Sequence, residues 1–378
     1  MGLSHSFDEP RRDPAPVQTV RTGDDEALDA GVPKAAEAGR EANLLAGPRA
    51  SAGPVTATGA AAALTSAPAK VILFGEHAVV YGEPAVAAAV DLRLRVRVAR
   101  GPAGGPSTIN DAPLASAYHH YLSEALKAAG EDKPVAFQVE ASVPGGSGLG
   151  SSAALVSASL LGLLALAGKA DRASPVPRET LARLAYDVEA AAQQGRASPT
   201  DTTTVTEGGA ILVGRERGPG FLWEITRGER RWSLHKVEPP AMPVVIGFTH
   251  ERGRTATEVA KVARFVARTG FAKDVIREIG DVAREGAKAA ARGDRAQLGK
   301  LFDRNHNLLT ILGVSTPRLN RLCEVARRHA HGAKLTGSGG GGSMIAVSDE
   351  PEACAAAIRK AGGAAWVATL GAQGVRFE

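Results

Sequence analysis

Cysteine is scarce in this sequence of 378 residues, which contains only Cys323 and Cys354. Two cysteines cannot form a disulfide framework, and no cysteine–histidine cluster with the spacing of a zinc site occurs. A chain of this length buries enough apolar surface to fold without such cross-links. Low cysteine content is typical of proteins in a reducing compartment, so the sequence favours a cytoplasmic location.

Aromatic residues are also few, at 4% of the chain, whereas 45 Lys and Arg residues exceed 40 Asp and Glu residues. A positive balance is compatible with an anionic small molecule or with nucleic acid. No basic run is interleaved with aromatic residues, so a stacking surface for single strands is not expected. We therefore predict no nucleic-acid partner.

Long hydrophobic runs are limited to one uncharged stretch, residues 141–168. Its first third is rich in Gly, Ser and Pro, and only residues 153–167 have the pattern of an apolar helix. That segment is shorter than the roughly 20 residues needed to cross a bilayer. The sequence therefore predicts a buried helix behind a glycine loop, with no membrane partner.

The order of the remaining patterns predicts an α+β fold in two domains. Residues 1–65 are rich in Ala, Gly and Pro and predict a disordered N-terminal extension. We place the first domain at 66–240 and the second at 241–378. Alternation from Leu92 to Val98 predicts a half-buried strand with a basic outer face, and Thr255-x-x-Glu258 has the pattern of a helix capping box.

The glycine loop at 144–150 is the most informative feature. Glycines allow the backbone to curl so that several N–H groups point inward, and the following helix adds the positive end of its dipole. The hydroxyls of Ser151 and Ser152 at the helix start suit a Mg²⁺ ion bound beside phosphates. The alternative is a flexible linker before a core helix. Neither a Walker A sequence nor the protein-kinase signatures occur.

A second glycine loop, residues 337–342, formally matches the G-x-G-x-x-G pattern of dinucleotide-binding proteins. That pattern requires a following helix, whereas a strand is predicted here, so we reject the dinucleotide interpretation. A second wall around a nucleotide or substrate fits better, and an ordinary loop is the alternative.

Charged residues are grouped near two other segments. Lys70, Glu76 and His77 surround an apolar strand and a glycine turn, and a lysine in such surroundings can stabilise an anion. Asp201 is the lone carboxylate of a hydroxyl-rich segment that we predict to be a loop, which makes it a candidate general base. Its alternative role is that of a turn or cap residue. His119 and His120 lack partners at metal spacing and are predicted to lie on the surface.

Together these four segments resemble the GHMP superfamily of small-molecule kinases, and the resemblance covers about residues 67–378. Residues 75–80, Gly-Glu-His-Ala-Val-Val, resemble the mevalonate kinase family in particular. The resemblance implies a two-domain GHMP architecture with the active site in the cleft between the domains. The cofactors it implies are ATP and Mg²⁺, and the small-molecule partner is mevalonate.

The resemblance also implies a role for each matched residue. Asp201 and Lys70 would be catalytic, with Asp201 receiving the proton of the substrate hydroxyl. Ser152 and Glu189 would hold Mg²⁺. The residues implied for ATP binding are Gly146, Ser147, Gly148, Leu149, Gly150, Ser151 and Ser152. The residues implied for substrate binding are Glu76, His77, Thr249, Gly337 and Gly339.

Two positions depart from the family pattern. Ala69 stands where the family usually has glycine, and Glu189 lies about one residue further from Asp201 than in the family. One helical residue rotates a side chain by about 100°, so a local adjustment would be needed for Glu189 to reach the site.

From these observations we predict a kinase that transfers the γ-phosphoryl group of ATP to the 5-hydroxyl of mevalonate in isoprenoid precursor synthesis. Phosphomevalonate kinase and homoserine kinase are alternatives, as is a non-catalytic nucleotide-binding sensor with the same fold. A homodimer and a monomer are both compatible with the sequence.

Overall fold

The computed structural model describes residues 62–142, 145–195 and 197–378. The strands are β1 (Ala62–Phe74), β2 (Ala85–Arg100), β3 (Thr108–Ile109), β4 (Ala112–Pro113), β5 (Val135–Ala141), β6 (Ala210–Gly214), β7 (Phe221–Arg227), β8 (Arg230–Val237), β9 (Met242–Phe248), β10 (Gly332–Thr336), β11 (Ser343–Val347), β12 (Ala364–Leu370) and β13 (Arg376–Phe377). The helices are α1 (His120–Ala129), α2 (Ser151–Leu166), α3 (Arg178–Ala192), α4 (Thr200–Glu207), α5 (Thr255–Arg268), α6 (Gly270–Arg292), α7 (Arg295–Ile311), α8 (Pro317–Ala326) and α9 (Pro351–Lys360).

These strands form one mixed sheet around the long antiparallel pair β1 and β2. Along the main path the order is β10-β11-β9-β12-β2-β5-β3-β4. Strand β6 pairs with the N-terminal residues of β2, and β8 and β7 follow it outward. The strand predicted from Leu92 to Val98 is part of β2, which is longer and runs from 85 to 100. Asp91 interrupts the apolar pattern without ending the strand, because its carboxylate accepts a hydrogen bond from the Thr369 N–H at 2.7 Å.

Two main cores cover this sheet. In the first, α1, α2 and α3 pack with β2 and β5 around residues such as Phe137 and Leu160. In the second, α6 to α9 pack on β9 to β12 and on β1, where the rings of Phe74 and Phe302 lie 5.3 Å apart. The α+β class is confirmed, and β1 contributes to the second core although it precedes the first domain's helices in the chain.

Helix α2 is buried along most of its length, as the sequence predicted. Eleven consecutive residues, Ala153 to Leu163, are buried. Gly162 lies so close to β2 that a Cβ atom there would stand 2.5 Å from Cγ2 of Val98, so glycine permits the close packing of helix on sheet. No helix among the described residues has both the length and the apolar character to span a membrane.

Three local predictions were wrong. The segment around Asp201 is the helix α4 rather than a loop, and its threonines from Thr202 to Thr206 are buried. Thr255 is the first residue of α5 rather than its cap, and its hydroxyl lies 3.1 Å from that of Ser338. Arg93 does not belong to an exposed basic face, because it is buried and donates to the carbonyls of Gln373 and Gly374.

The predicted N-terminal extension, residues 1–65, lies almost wholly outside the described residues. Its last four residues are an exception, because β1 begins at Ala62 and Thr65 is fully buried. The hydroxyl of Thr65 donates to the carbonyl of Ala158 in α2 at 2.8 Å. The ordered structure therefore begins before position 66.

Candidate active site

The first glycine loop has the backbone conformation of an anion-binding turn. Gly146, Gly148 and Gly150 have φ angles of +78°, +79° and +74°, and the residues between them do not share this left-handed conformation. Such alternation turns successive N–H groups toward one side of the chain. The loop ends at the N-terminus of α2, where within the described residues no side chain caps the helix. The uncapped N–H groups at the start of a helix favour an anion.

Lys70 anchors the loop and supplies a cation beside it. Its backbone N–H donates to the carbonyl of Leu149 at 2.9 Å. Its side chain passes so close to Gly150 that a Cβ atom there would lie 2.6 Å from Cγ of Lys70. Glycine at position 150 therefore lets the buried lysine run along the loop.

The ammonium of Lys70 lies 3.0 Å from Oδ2 of Asp201. The lysine side chain is only 4% exposed, whereas the aspartate side chain is 31% exposed. The pair therefore places a buried cation and an accessible carboxylate side by side at the first glycine loop.

Glu189 reaches the site from α3 despite its unusual spacing. Its carboxylate accepts a hydrogen bond from the Ser152 hydroxyl at 3.0 Å. Burial raises the pKa of Glu189 to about 8, and the nearby charge of Asp201 adds to this rise. The Ser152 hydroxyl and the Glu189 carboxylate offer two oxygen ligands close to the Asp201 carboxylate. The nearby positive charge is too small to balance these groups, so the arrangement fits a Mg²⁺ ion.

Two hydroxyls of the first loop fit a bound phosphate chain. Ser147 and Ser151 have buried Oγ atoms with no hydrogen-bond partner among the described residues. A buried hydroxyl without a partner costs free energy. A phosphate oxygen would give each of them an acceptor.

The second glycine loop meets the first across the sheet. The Ser343 hydroxyl, at the start of β11, donates to the carbonyl of Ser147 at 2.7 Å. Thr249 is buried behind this loop and donates its hydroxyl to the carbonyl of Gly342 at 2.9 Å. Residues far apart in the chain thus form two facing walls.

A cavity of about 460 Å³ opens between these walls. Ten of the predicted site residues line it: Lys70, Gly146, Ser147, Gly148, Gly150, Ser151, Ser152, Asp201, Gly337 and Gly339. Five others do not line it: Glu76, His77, Leu149, Glu189 and Thr249. Further lining residues that sequence reasoning missed include Ile109, His119, Tyr121, Leu122, Leu155, Thr336 and Ser338.

Glu76 and His77 have structural contacts on the far side of the second loop. The carboxylate of Glu76 is buried between the ammonium of Lys334 and the amide of Asn305, which donates at 2.9 Å. His77 has a left-handed φ of +63° and donates from Nε2 to the carbonyl of Ser338 at 2.9 Å. Both residues thereby fix the position of the loop that lines the cavity.

Two family models match the chain and cover the two halves of this site. GHMP kinases N terminal domain matches residues 114–209, which include the first glycine loop and Asp201. GHMP kinases C terminal matches residues 287–367, which include the second glycine loop. The fold is that of a GHMP kinase.

Similar proteins narrow the assignment. The chain is 37% identical to a mevalonate kinase of Methanothermobacter thermautotrophicus over 296 residues, covering 74% of this chain and 88% of that protein. It is 35% identical to a mevalonate kinase of Pyrococcus horikoshii over 351 residues, covering 83% and 97%. The crystal structure of the Methanococcus jannaschii mevalonate kinase has the same fold, with a TM-score of 0.67, 24% identity and coverage of 82% and 98%. This chain belongs to the mevalonate kinase family.

Proposed function

We propose that this protein transfers the γ-phosphoryl group of ATP to the 5-hydroxyl of mevalonate. The observation that carries the proposal is the Lys70–Asp201 pair at the anion-binding loop, within one cavity. Phosphoryl transfer depends mainly on positioning and charge neutralisation. The pair supplies a carboxylate for the attacking hydroxyl and a cation for the transferring group.

In the mechanism that we propose, Asp201 accepts a hydrogen bond from the acceptor hydroxyl and receives its proton as the oxygen attacks. Lys70 positions Asp201 through their ion pair and stabilises negative charge on the transferring phosphoryl group. Lys70 is buried, its backbone N–H is bonded to the loop and its ammonium is paired with Asp201, so the ammonium is held in place before the substrate binds.

The first loop, residues 146–152, would bind the ATP phosphates through its backbone N–H groups and through the hydroxyls of Ser147 and Ser151. Mg²⁺ would be held by Ser152 and Glu189, and when bound it neutralises charge on the phosphates. The hydrogen bond between these two side chains already brings their oxygens together.

On the acceptor side, we assign Gly337, Gly339 and Thr336 to the wall that shapes the mevalonate pocket. Glu76, His77 and Thr249 would act on the substrate through this wall, because each is bonded to the second loop or to residues beside it. This is a revision of the direct substrate contact that the sequence predicted for them.

A mevalonate complex of one fold relative supports the choice of acceptor. The L. major mevalonate kinase was crystallised in complex with R-mevalonate, and its chain superposes with a TM-score of 0.68 at 23% identity. A non-catalytic sensor is disfavoured because Lys70 and Asp201 are both present and paired. We also propose a cytoplasmic location, which the two buried free thiols support. A homodimer is a further hypothesis, and light scattering would test it.

An acceptor panel tests the function. Purified protein with Mg²⁺ and ATP is expected to release ADP when mevalonate is added, and not with phosphomevalonate or homoserine. Phosphorus NMR of the product would locate the new phosphate on the 5-oxygen. Turnover with phosphomevalonate or homoserine alone would refute the substrate assignment.

A further inference from the structure

One end of the active-site cavity is apolar. Ile109, Tyr121, Leu122 and Leu155 line it. Leu155 lies one helical turn beyond Ser151 on the same face of α2, so the apolar wall begins one turn past the phosphate loop. This end can accept a flat apolar ring attached to a phosphate chain.

His119 is the polar exception in this wall. Its Nδ1 accepts a hydrogen bond from the backbone N–H of Ala115 at 3.0 Å. A neutral imidazole whose Nδ1 accepts must carry its proton on Nε2. Burial lowers the pKa of His119, which favours this neutral form. The ring therefore has one defined tautomer with Nε2 as a hydrogen-bond donor.

The Nε2 donor has no partner among the described residues, although His119 lines the cavity and is only 8% exposed. Leaving a buried donor unsatisfied costs free energy. The prediction that this histidine lies on the surface was therefore wrong. Its ring is fixed by the turn at 115–119, where its own backbone N–H donates to the Ala115 carbonyl at 2.8 Å.

Other roles for His119 fit the geometry less well. No group of three or more His, Cys, Asp or Glu residues suited to a metal occurs in the described part of the chain. A general base needs a free lone pair, and the lone pair on Nδ1 is already used by Ala115. What remains is hydrogen-bond donation into the cavity.

We propose that His119 is a specificity-determining residue that donates its Nε2–H to a ring nitrogen of the purine base of the nucleotide. The base would pack against the apolar side chains of the same wall. A purine offers lone pairs at N1, N3 and N7 in adenine, any one of which can accept this bond. The inference rests on the proposed function only in taking ATP as the nucleotide.

Calorimetric binding of Mg²⁺-nucleotides without any acceptor substrate tests this inference. ATP is compared with 1-deaza-, 3-deaza- and 7-deaza-ATP, each of which lacks one ring acceptor. We expect one analogue to bind the unchanged protein about 3- to 10-fold more weakly, the range of a single hydrogen bond. His119→Phe should weaken the binding of ATP by a similar factor. In this variant the weakly bound analogue should bind as well as ATP does, because the hydrogen bond is already lost.

His120→Phe is the matched control, because the neighbouring histidine does not line the cavity, and it should bind ATP as the unchanged protein does. His119→Gln, which keeps a donor near the same position, should retain more affinity than His119→Phe. If none of the three analogues binds the unchanged protein more weakly, the proposal is overturned, and this result does not require any variant to fold. Equal analogue losses in His119→Phe and the unchanged protein would overturn it as well. Since no mevalonate is present, failure to phosphorylate mevalonate would not affect this result.

Discussion

At the scale of single residues, the ion pair of Lys70 and Asp201 is asymmetric in a way that suits its proposed chemistry. The cation is buried and held by the loop, while the carboxylate reaches the cavity. A base must contact the acceptor hydroxyl, whereas a charge-stabilising cation benefits from low dielectric surroundings. The exposures of the two side chains thus match two different tasks.

The variant Asp201→Asn tests this division of roles between Asp201 and Lys70. The amide cannot take the proton, so we expect kcat to fall by about 100- to 10,000-fold, while the Kd for Mg²⁺-ATP changes by only a few-fold. ADP release and calorimetry measure the two quantities. Asp187→Asn, at an exposed carboxylate 3.5 Å from Arg227, is the control and should keep full turnover. Full turnover of Asp201→Asn would instead make Asp201 a structural residue.

A second residue-scale prediction concerns the buried pair of Lys334 and Glu76, both of whose side chains are almost inaccessible. Lys334→Met would leave the carboxylate buried without its cation, which costs about 3–5 kcal/mol of stability. Urea unfolding measures the loss. Lys127→Met, which removes the exposed partner of Glu124, should cost less than about 1 kcal/mol. Equal losses of stability in the two variants would show that the buried pair does not hold the second glycine loop.

The resemblance of four short segments to a kinase family was sufficient to predict that Lys70, Asp201 and the first loop lie together, and all three line one cavity. The direction of individual side chains was not predictable in the same way. Glu76 is turned away from the cavity by Lys334 and Asn305, which lie more than two hundred residues further along the chain. His119 is buried because separate elements pack around it, and no local sequence pattern predicts such packing.

At the scale of elements, the hydrophobic pattern predicted α2 within a few residues because its apolar character is continuous. It failed at α4. Threonine has low helix propensity, but the threonines of α4 are buried, and the Val375 N–H donates to the carbonyl of Val205 at 2.9 Å. Tertiary packing therefore determines this helix and places Asp201 in its first turn.

The junction between the first loop and α2 provides the element-scale prediction. Gly150→Ala combines a left-handed φ with a clash against Lys70, so the loop and the lysine must both shift. We expect ATP affinity to fall at least 10-fold, because phosphate binding needs the N–H groups in register. Calorimetry measures the affinity.

Gly130→Ala is the matched control for this change. Gly130 has a φ of +68° at the end of α1, and a Cβ atom there would meet nothing within 4 Å. It should cost about 1 kcal/mol of stability without changing ATP affinity. If Gly150→Ala behaved like Gly130→Ala, the close approach of Lys70 would be irrelevant to nucleotide binding.

At the scale of the whole molecule, the cavity depends on contacts that join the two ends of the ordered chain. The second core combines side chains from β1 and β2 with those of β9 to β12, and Ser343 bonds the second loop to the first. Sequence patterns predicted each loop separately. Their meeting depends on the sheet order, in which β12 lies beside β2, and this pairing leaves no signature in either segment alone.

This shared core leads to a prediction about unfolding. Because one core combines strands that precede the N-terminal matched region with strands that follow it, we expect a single calorimetric transition rather than one for each half. Mg²⁺-ATP at 100 times its Kd should stabilise the folded state by about 2.7 kcal/mol and move the whole transition upward by several degrees. Gly150→Ala, with its affinity lowered at least 10-fold, should reduce this stabilisation at the same ATP concentration to about 1.4 kcal/mol or less, while Gly130→Ala should keep the full shift. Two separate transitions, of which ATP moved only one, would contradict this, because the glycine loops would then belong to halves that unfold independently.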